Sequence, residues 1–230
     1  MSQKSAMDST QSKAARVAGA ALLLGLVILL PVNYLTALHY HVSEITAHLG
    51  QYRFNIAVNV FYVLDSLVVL GLLYVVLRPV DRSVALLATF FRLISAVAWA
   101  ILALTMLNVL QLLSDAAYLS AFSTNQLQAL AELQGDYGNN AYYIGLPAWS
   151  LASTIYSVLW LKSRYIPKTL ALYGILSSSW CVLCAFAYLA IPHFDQMVNA
   201  WLYDVPMVLF ELVLGGWLLV RGLRVFGKAV

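Results

Sequence analysis

Residues 54–112 read FNIAVNVFYVLDSLVVLGLLYVVL, then RPVDR at 78–82, then SVALLATFFRLISAVAWAILALTMLNVLQL. Each apolar run exceeds the ~20 residues that a helix needs to cross the hydrocarbon core of a bilayer. The five residues between the runs are too few for anything but a tight turn that reverses the chain. The stretch therefore predicts an antiparallel pair of membrane-spanning helices.

Apolar runs of similar length recur along the whole chain. Hydrophobic residues make up 62% of the sequence and charged residues 10%, whereas soluble domains have about 25% charged residues. We therefore predict an all-α polytopic membrane protein, with a polar tail at 1–16 and one six-transmembrane-helix domain over 17–228. The predicted spans lie at about 17–38, 54–77, 83–112, 140–161, 169–191 and 201–220.

Lysine and arginine concentrate on one side of this topology. The tail at 1–16 holds three, 78–82 holds two, 162–168 holds three and 221–228 holds three, which is eleven of the 13. Loops that remain in the cytoplasm carry an excess of these residues. Both termini are therefore predicted to be cytoplasmic, with the membrane lipid as a partner. No basic stripe with interleaved aromatic residues points to nucleic acid.

The loops on the opposite side show two local signals. Ser123 and Gln126 have the spacing of a capping box, which predicts a short interfacial helix ending at Gly135. Tyrosines crowd the same boundary, as an interfacial aromatic belt would; they include Tyr52, Tyr142 and Tyr143.

Three ionisable residues fall inside predicted spans. At a rise of 1.5 Å per residue, Asp65 lies about 19 Å from Arg78. By the same rise, Arg92 lies about 15 Å from Arg82, and Glu211 lies about 15 Å from Arg221. Each would cost about 2.5–3.5 kcal/mol if unpaired at the bilayer centre. We expect all three to face inward, with Arg92 bridging one or both carboxylates. Two acids and one base also predict that one acid holds or exchanges a proton at neutral pH.

Polar residues continue outward from these charges. Asn55, Asn59 and Tyr62 recur at helical spacing, and Asp204 lies two turns before Glu211. Such stripes face protein or water rather than lipid, so they predict a cavity opening outward with Arg92 at its floor. The alternative is purely architectural: the charges fix the register of the helices. The candidate substrate-binding residues are Asp65, Arg92, Glu211, Asn59, Tyr62 and Asp204.

Four segments together resemble one bacterial membrane family: LRPVDRSVALLATFFRLISAV (77–97), YGNNAYYIGLPAW (137–149), LKSRYIPKTLALYGIL (161–176) and FELVLGGWLLVRGL (210–223). This family is catalogued as domain of unknown function family 4386. Its pattern has an arginine in the third span, matched here by Arg92, and an acid in the second, matched by Asp65. The resemblance implies a multi-pass protein of the bacterial inner membrane and brings no activity with it.

Other constellations predict neither metal nor cofactor. Cys181 and Cys184 have redox-motif spacing but fall inside the fifth span, where small apolar packing is the expected role. All four histidines lie in loops on the side opposite the basic residues, where polar side chains are ordinary: His39, His41, His48 and His193.

Three functions remain open from the sequence. The first is binding or transport of a small polar or amphipathic molecule, or of protons, with Arg92 anchoring an anionic group. The second is an intramembrane enzyme acting on a lipid or isoprenoid, with Asp65 or Glu211 as general acid. No nucleophile or metal accompanies these carboxylates, which weighs against an enzyme. The third is a non-catalytic accessory or signalling subunit. The residues do not determine the oligomeric state.

Overall fold

The computed structural model describes residues 3–32, 42–114 and 117–224, and across these ranges every regular element is helical. The predicted all-α fold is therefore confirmed. Two 3-10 turns, at Thr46–His48 and Ala117–Ala121, accompany the α-helices. The α-helices are α1 (Gln3–Val32), α2 (Val42–Ile45), α3 (Leu49–Leu77), α4 (Arg82–Leu112), α5 (Thr124–Ser163), α6 (Lys168–Ala190), α7 (Phe194–Met197) and α8 (Trp201–Val220).

Six helices are long and apolar enough to cross a bilayer: α1, α3, α4, α5, α6 and α8. Their candidate spans run from 20 to 40 residues, against the ~20 that a crossing needs. The chain is therefore a multi-pass membrane protein with the predicted number of spans.

The bundle has two chemically different ends. We call "the basic end" the end that holds the turns at 78–81 and 164–167 together with Arg221, and "the opposite end" the other one. At the basic end the side chain of Asp81 caps α4 by accepting a hydrogen bond from the Val84 amide at 3.1 Å. Arg164 ends α5 in the left-handed conformation at φ 55°. These two features produce the reversals predicted between the second and third, and the fourth and fifth, spans.

The region before the fourth span differs from the prediction. The capping box at Ser123 and Gln126 is present, but the helix that it starts does not end at Gly135. Instead, α5 continues for 40 residues without a break. A Cβ on Gly138 would lie 2.6 Å from Thr105 Oγ1, so α5 packs tightly on α4 just beyond the predicted stop. The prediction of a separate interfacial helix was wrong because this tertiary packing extends the helix through both glycines.

The segment predicted as a polar tail is helical from Gln3 onward and forms the first turns of α1. Gln11 Nε2 donates hydrogen bonds to the Val76 carbonyl at 2.7 Å and to the Tyr165 hydroxyl at 3.2 Å. The polar start of α1 is therefore docked against the end of α3 and the turn between α5 and α6.

The six long helices form a closed ring. Each packs on its neighbours along the chain, and α8 completes the ring by packing on α1. At that closure a Cβ on Gly19 would lie 2.6 Å from the Gly215 carbonyl oxygen. Small residues allow this close backbone approach, a common basis of helix association in membranes.

The inside of the ring is filled at the basic end. Large side chains from several helices meet there, among them Leu77, Tyr156, Trp160, Phe210 and Leu218. The interior towards the opposite end is different, since it contains a cavity.

Candidate functional site

A buried ion pair crosses the ring near mid-depth. Arg92 on α4 donates from Nη1 to Glu211 Oε1 at 2.6 Å and from Nη2 to Oε2 at 3.1 Å, with Glu211 on α8. Both side chains are only 4% exposed. Two parallel hydrogen bonds between a guanidinium and a carboxylate are among the stronger polar contacts in proteins. The pair therefore joins two helices that are not neighbours in the ring.

Trp149 on α5 completes this cluster. Its indole Nε1 donates to Glu211 Oε1 at 2.9 Å, and Arg92 Cζ lies 5.5 Å from the centroid of its ring. Glu211 thus accepts three hydrogen bonds, and Arg92 gains a cation–π contact. With these partners both charges tolerate burial that would otherwise be costly.

Asp65 does not join the pair. Its side chain is partly exposed and lies on the α1 side of α3, where its carboxylate packs over Gly25, which has no Cβ to obstruct it. The one salt bridge among the described residues is that between Arg92 and Glu211. The three intramembrane charges therefore divide into a sealed pair and a separate acid at the interface of α1 and α3.

A cavity of about 450 Å³ lies inside the ring towards the opposite end. Its lining runs from buried Trp149 and Val208 to exposed Asn139 and Asn199. The complete described lining is Leu26, Leu29, Leu30, Ile45, Tyr52, Asn55, Tyr62, Trp99, Leu102, Thr105, Met106, Val109, Ala131, Gly135, Gly138, Asn139, Tyr142, Tyr143, Trp149, Asn199, Ala200, Trp201, Asp204 and Val208.

Aromatic rings form a continuous wall of this cavity. Tyr62 and Trp99 meet edge to face with centroids 5.1 Å apart, and Trp99 meets Tyr142 in the same way at 5.9 Å. Tyr142 then contacts Tyr143 at 5.2 Å. Edge-to-face contacts are a preferred geometry for aromatic pairs and add to the stability of packing, so the wall is well defined. The expected interfacial belt is not uniform, because Tyr52, Tyr142 and Tyr143 line the cavity instead.

Two polar groups face the cavity from different helices. On α8, Asp204 is 6% exposed and accepts a hydrogen bond from the Tyr142 hydroxyl at 2.9 Å. On α3, Asn55 is 1% exposed, and its Nδ2 donor has no hydrogen-bond partner within the described part of the chain. The Asn55 carbonyl oxygen Oδ1 accepts from Asn59 Nδ2 at 2.7 Å, which orients the amide. A buried donor without an acceptor costs about 1–3 kcal/mol, and this donor belongs to a residue that lines the cavity.

The six residues singled out from the sequence are thus distributed over three places. Tyr62 and Asp204 line the cavity, and fully buried Asn59 supports its wall through Asn55. Arg92 and Glu211 lie behind Trp149, which both lines the cavity and bonds to Glu211. Asp65 is not among the lining residues.

Sequence reasoning missed Trp149 and Trp99 as parts of this site. Tryptophans in membrane proteins favour the interfaces, and both of these lie well inside apolar spans. Their position away from the interfaces could have marked them as parts of the site, because an indole N–H in hydrocarbon requires a hydrogen-bond acceptor.

The described residues contain no group of three or more metal-ligating side chains. His39 and His41 lie outside the described residues, so the structure does not bear on them. Cys181 and Cys184 are free thiols buried in the packing of α6.

Fold and site together define a class: a multi-pass α-helical membrane protein whose ring of helices encloses an aromatic-lined cavity above a sealed ion pair. The family model described as "Domain of unknown function (DUF4386)" matches residues 17–222, and the chain belongs to that family. Comparison with curated proteins and with solved structures found no match.

Proposed function

We propose that this protein binds a small amphipathic molecule in the cavity between its membrane helices. The observation that carries the proposal is a cavity of about 450 Å³ with a buried Asn55 donor in its wall that has no hydrogen-bond partner among the described residues. Protein interiors are normally packed as densely as organic crystals, and ligand sites typically have volumes of about 300–1,000 Å³. A mostly apolar lining with a few convergent polar groups is the usual composition of such sites.

The sequence-predicted residues take different roles in this proposal. Tyr62 and Asp204 contact the ligand directly, and Asn59 holds the Asn55 amide in place. Arg92 and Glu211 fix the wall formed by Trp149 rather than touching the ligand, because Arg92 directs both terminal nitrogens at Glu211. Asp65 is assigned no ligand contact.

We further propose that the protein resides in a bacterial plasma membrane with its basic end in the cytoplasm. The support is the distribution of lysine and arginine, which favours the cytoplasmic side in multi-pass proteins. The cavity then lies in the outer half of the membrane. A ligand reaches the cavity from the outer leaflet or the outer aqueous phase, because the packed basic end blocks access from the cytoplasm.

The test uses a matched pair of substitutions on α4. Leu102 lines the cavity, whereas Leu104 is 54% exposed on the lipid side of the same helix. Leu102→Trp fills the cavity, and Leu104→Trp adds the same bulk outside it. The full-length protein in mild detergent is titrated with uncharged diphenylhexatriene and monitored by native mass spectrometry.

We expect one saturable adduct on the wild type and on Leu104→Trp, and a loss of about tenfold or more in affinity for Leu102→Trp. No saturable adduct on the wild type, or equal binding by both variants, would contradict the proposal. Size-exclusion elution at the wild-type volume is the control for folding. Counterflow of the bound molecule in proteoliposomes then distinguishes a transporter from a binding protein.

A further inference from the structure

We propose that the basic end carries a binding site for the phosphodiester headgroup of an anionic phospholipid. The site is formed by Arg16 on α1 and by Arg221 and Arg224 at the end of α8, and we call these three residues "the arginine cluster". It is separate from the cavity, which lies towards the opposite end. The inference therefore goes beyond the proposed function and does not depend on it.

The close packing of α1 on α8 brings the arginine cluster together. A Cβ on Gly19 would lie 2.6 Å from the Gly215 carbonyl oxygen, so the two helix backbones nearly touch there. Arg16 lies on α1 about one turn before Gly19 and reaches the end of α8. A Cβ on Gly222 would lie 3.6 Å from Arg16 Nε. The Arg16 guanidinium is thus placed beside the residue that follows Arg221.

The end of α8 holds Arg224 in a defined position. Gly222 adopts the left-handed conformation at φ 65°, and its amide donates to the Leu218 carbonyl at 3.1 Å, which ends the helix. The Arg224 amide then donates to the Tyr165 carbonyl at 2.9 Å, and Arg224 Cζ lies 4.9 Å from the centroid of the Trp217 ring. A guanidinium that is already held by such contacts loses less conformational freedom when it binds an anion.

The positive charge of the cluster is not balanced within the described part of the chain. The one salt bridge among those residues is the buried pair of Arg92 and Glu211, so the exposed side chains of the cluster have no acidic partner there. Asp81, at the same end, caps α4. Asp8 precedes Arg16 by two turns of α1, about 12 Å along the helix. Several like charges held close together attract an anion.

Phosphate is the anion that suits arginine best. The planar guanidinium presents a fork of N–H donors that matches two phosphate oxygens, which a lysine ammonium does not. Basic sites between transmembrane helices at the cytoplasmic side are known to bind the phosphate-bearing headgroups of anionic lipids. The cluster has this composition and this location in the bundle.

The residues next to the cluster favour a lipid over a free phosphate ion. Val17 follows Arg16 directly, and Val220 precedes Arg221 directly, and both valines are largely exposed. Each helix therefore changes from charged to apolar within one residue, as the surroundings do where headgroups meet acyl chains. A bound phospholipid would place its phosphate on the arginines and its acyl chains along the valines.

The experiment titrates the full-length protein in an uncharged detergent and counts bound lipids by native mass spectrometry. Dioleoylphosphatidylglycerol is the anionic lipid, dioleoylphosphatidylcholine is its zwitterionic control, and inorganic phosphate is the soluble competitor. The test variant is Arg16→Gln/Arg224→Gln. The matched control is Arg78→Gln/Arg82→Gln, which removes two exposed arginines from the same end; these two flank Asp81 in the chain.

For the wild type we expect one saturable phosphatidylglycerol adduct, with an affinity on the order of tenfold above that for phosphatidylcholine. Arg16→Gln/Arg224→Gln should abolish this preference, and Arg78→Gln/Arg82→Gln should retain it. Leu102→Trp, which fills the cavity, should also retain it, because the lipid binds at the other end of the bundle.

A second measurement on the wild type does not depend on whether a variant folds. Phenylglyoxal modifies exposed arginines, and peptide mapping by mass spectrometry locates the modified positions. One equivalent of phosphatidylglycerol should protect Arg16 and Arg224 from the reagent and leave Arg78 and Arg82 reactive.

Three results would overturn the inference. Equal binding of the two lipids would show that the site does not select an anionic headgroup. Equal loss of binding in the two double variants, or equal protection of all four arginines, would show a general attraction to the basic end rather than a site. Displacement of phosphatidylglycerol by inorganic phosphate at a similar concentration would show that a free anion, not a lipid, is the ligand. None of these results would affect the proposed function of the cavity, which is tested with other molecules.

Discussion

The ion pair between Arg92 and Glu211 makes a quantitative prediction about stability. Glu211→Gln leaves the Arg92 guanidinium buried without a counter-charge. Arg92→Met leaves the Glu211 carboxylate buried without one. Removing one partner of a buried pair costs about 3–5 kcal/mol of folding free energy. Glu211→Gln should be the more damaging change, because an arginine stays charged whereas a carboxyl can become neutral by binding a proton.

The double variant Arg92→Met/Glu211→Gln should be more stable than either single variant. It carries no buried charge, and the new amide oxygen still accepts the hydrogen bond that Trp149 now gives to Glu211. Replacing a whole buried pair is often close to neutral, so we expect a loss below about 2 kcal/mol. The double-mutant cycle then gives a coupling energy of about 3 kcal/mol or more.

The measurement is unfolding of the purified variants in mixed micelles, with increasing dodecyl sulfate in dodecyl maltoside, followed by circular dichroism. Arg53→Met is the control, because Arg53 is exposed outside the cavity and its removal should change stability by less than about 0.5 kcal/mol. Additive losses in the double variant would refute the reasoning, since they would mean that the two charges do not depend on each other for burial.

Three further predictions concern other parts of the bundle. A hydrophobic carbodiimide should modify the partly exposed Asp65 and leave the buried Glu211 unmodified. Peptide mapping by mass spectrometry measures both, and modification of Glu211 but not Asp65 would contradict the described geometry. Gly19→Ala should lower the unfolding midpoint, because its new Cβ would meet backbone atoms of α8. The control Gly71→Ala, whose Cβ would have nothing within 4 Å, should leave stability unchanged or raise it by up to about 1 kcal/mol. Equal effects of the two substitutions would argue against the close approach of α1 and α8. Trp149→Phe keeps the ring but removes the indole donor to Glu211, and should cost about 1.5–3 kcal/mol in the same unfolding assay; an unchanged midpoint would show that this hydrogen bond contributes little.

Much of the architecture follows from the amino-acid sequence alone. Apolar runs define spans because a lipid-exposed backbone must satisfy its own hydrogen bonds, and the turns at 78–82 and 162–168 are too short for any other topology. The capping box at Ser123 and Gln126 was also correctly predicted, because it depends on neighbours along the chain. Local chemistry of this kind does not require knowledge of the fold.

The continuity of α5 could not be predicted from the sequence in this way. Gly135 is a plausible helix stop by itself, and only the packing of Gly138 on Thr105 shows why the helix continues. Sequence reasoning also treated Tyr142 as part of an interfacial belt. The structure turns it inward, because its hydroxyl bonds to Asp204 on a helix that is distant in sequence.

The amino-acid sequence alone shows which residues are too polar for lipid and at what depth they lie, because depth follows from position along a span. The packing of the helices in the ring determines which of these residues contact each other. Asp65, Arg92 and Glu211 are equivalent candidates by depth, yet rotation about each helix axis places Arg92 against Glu211 and Asp65 against α1. The cavity has the same origin, since an unfilled volume depends on how side chains from several helices pack together, and no single segment encodes it.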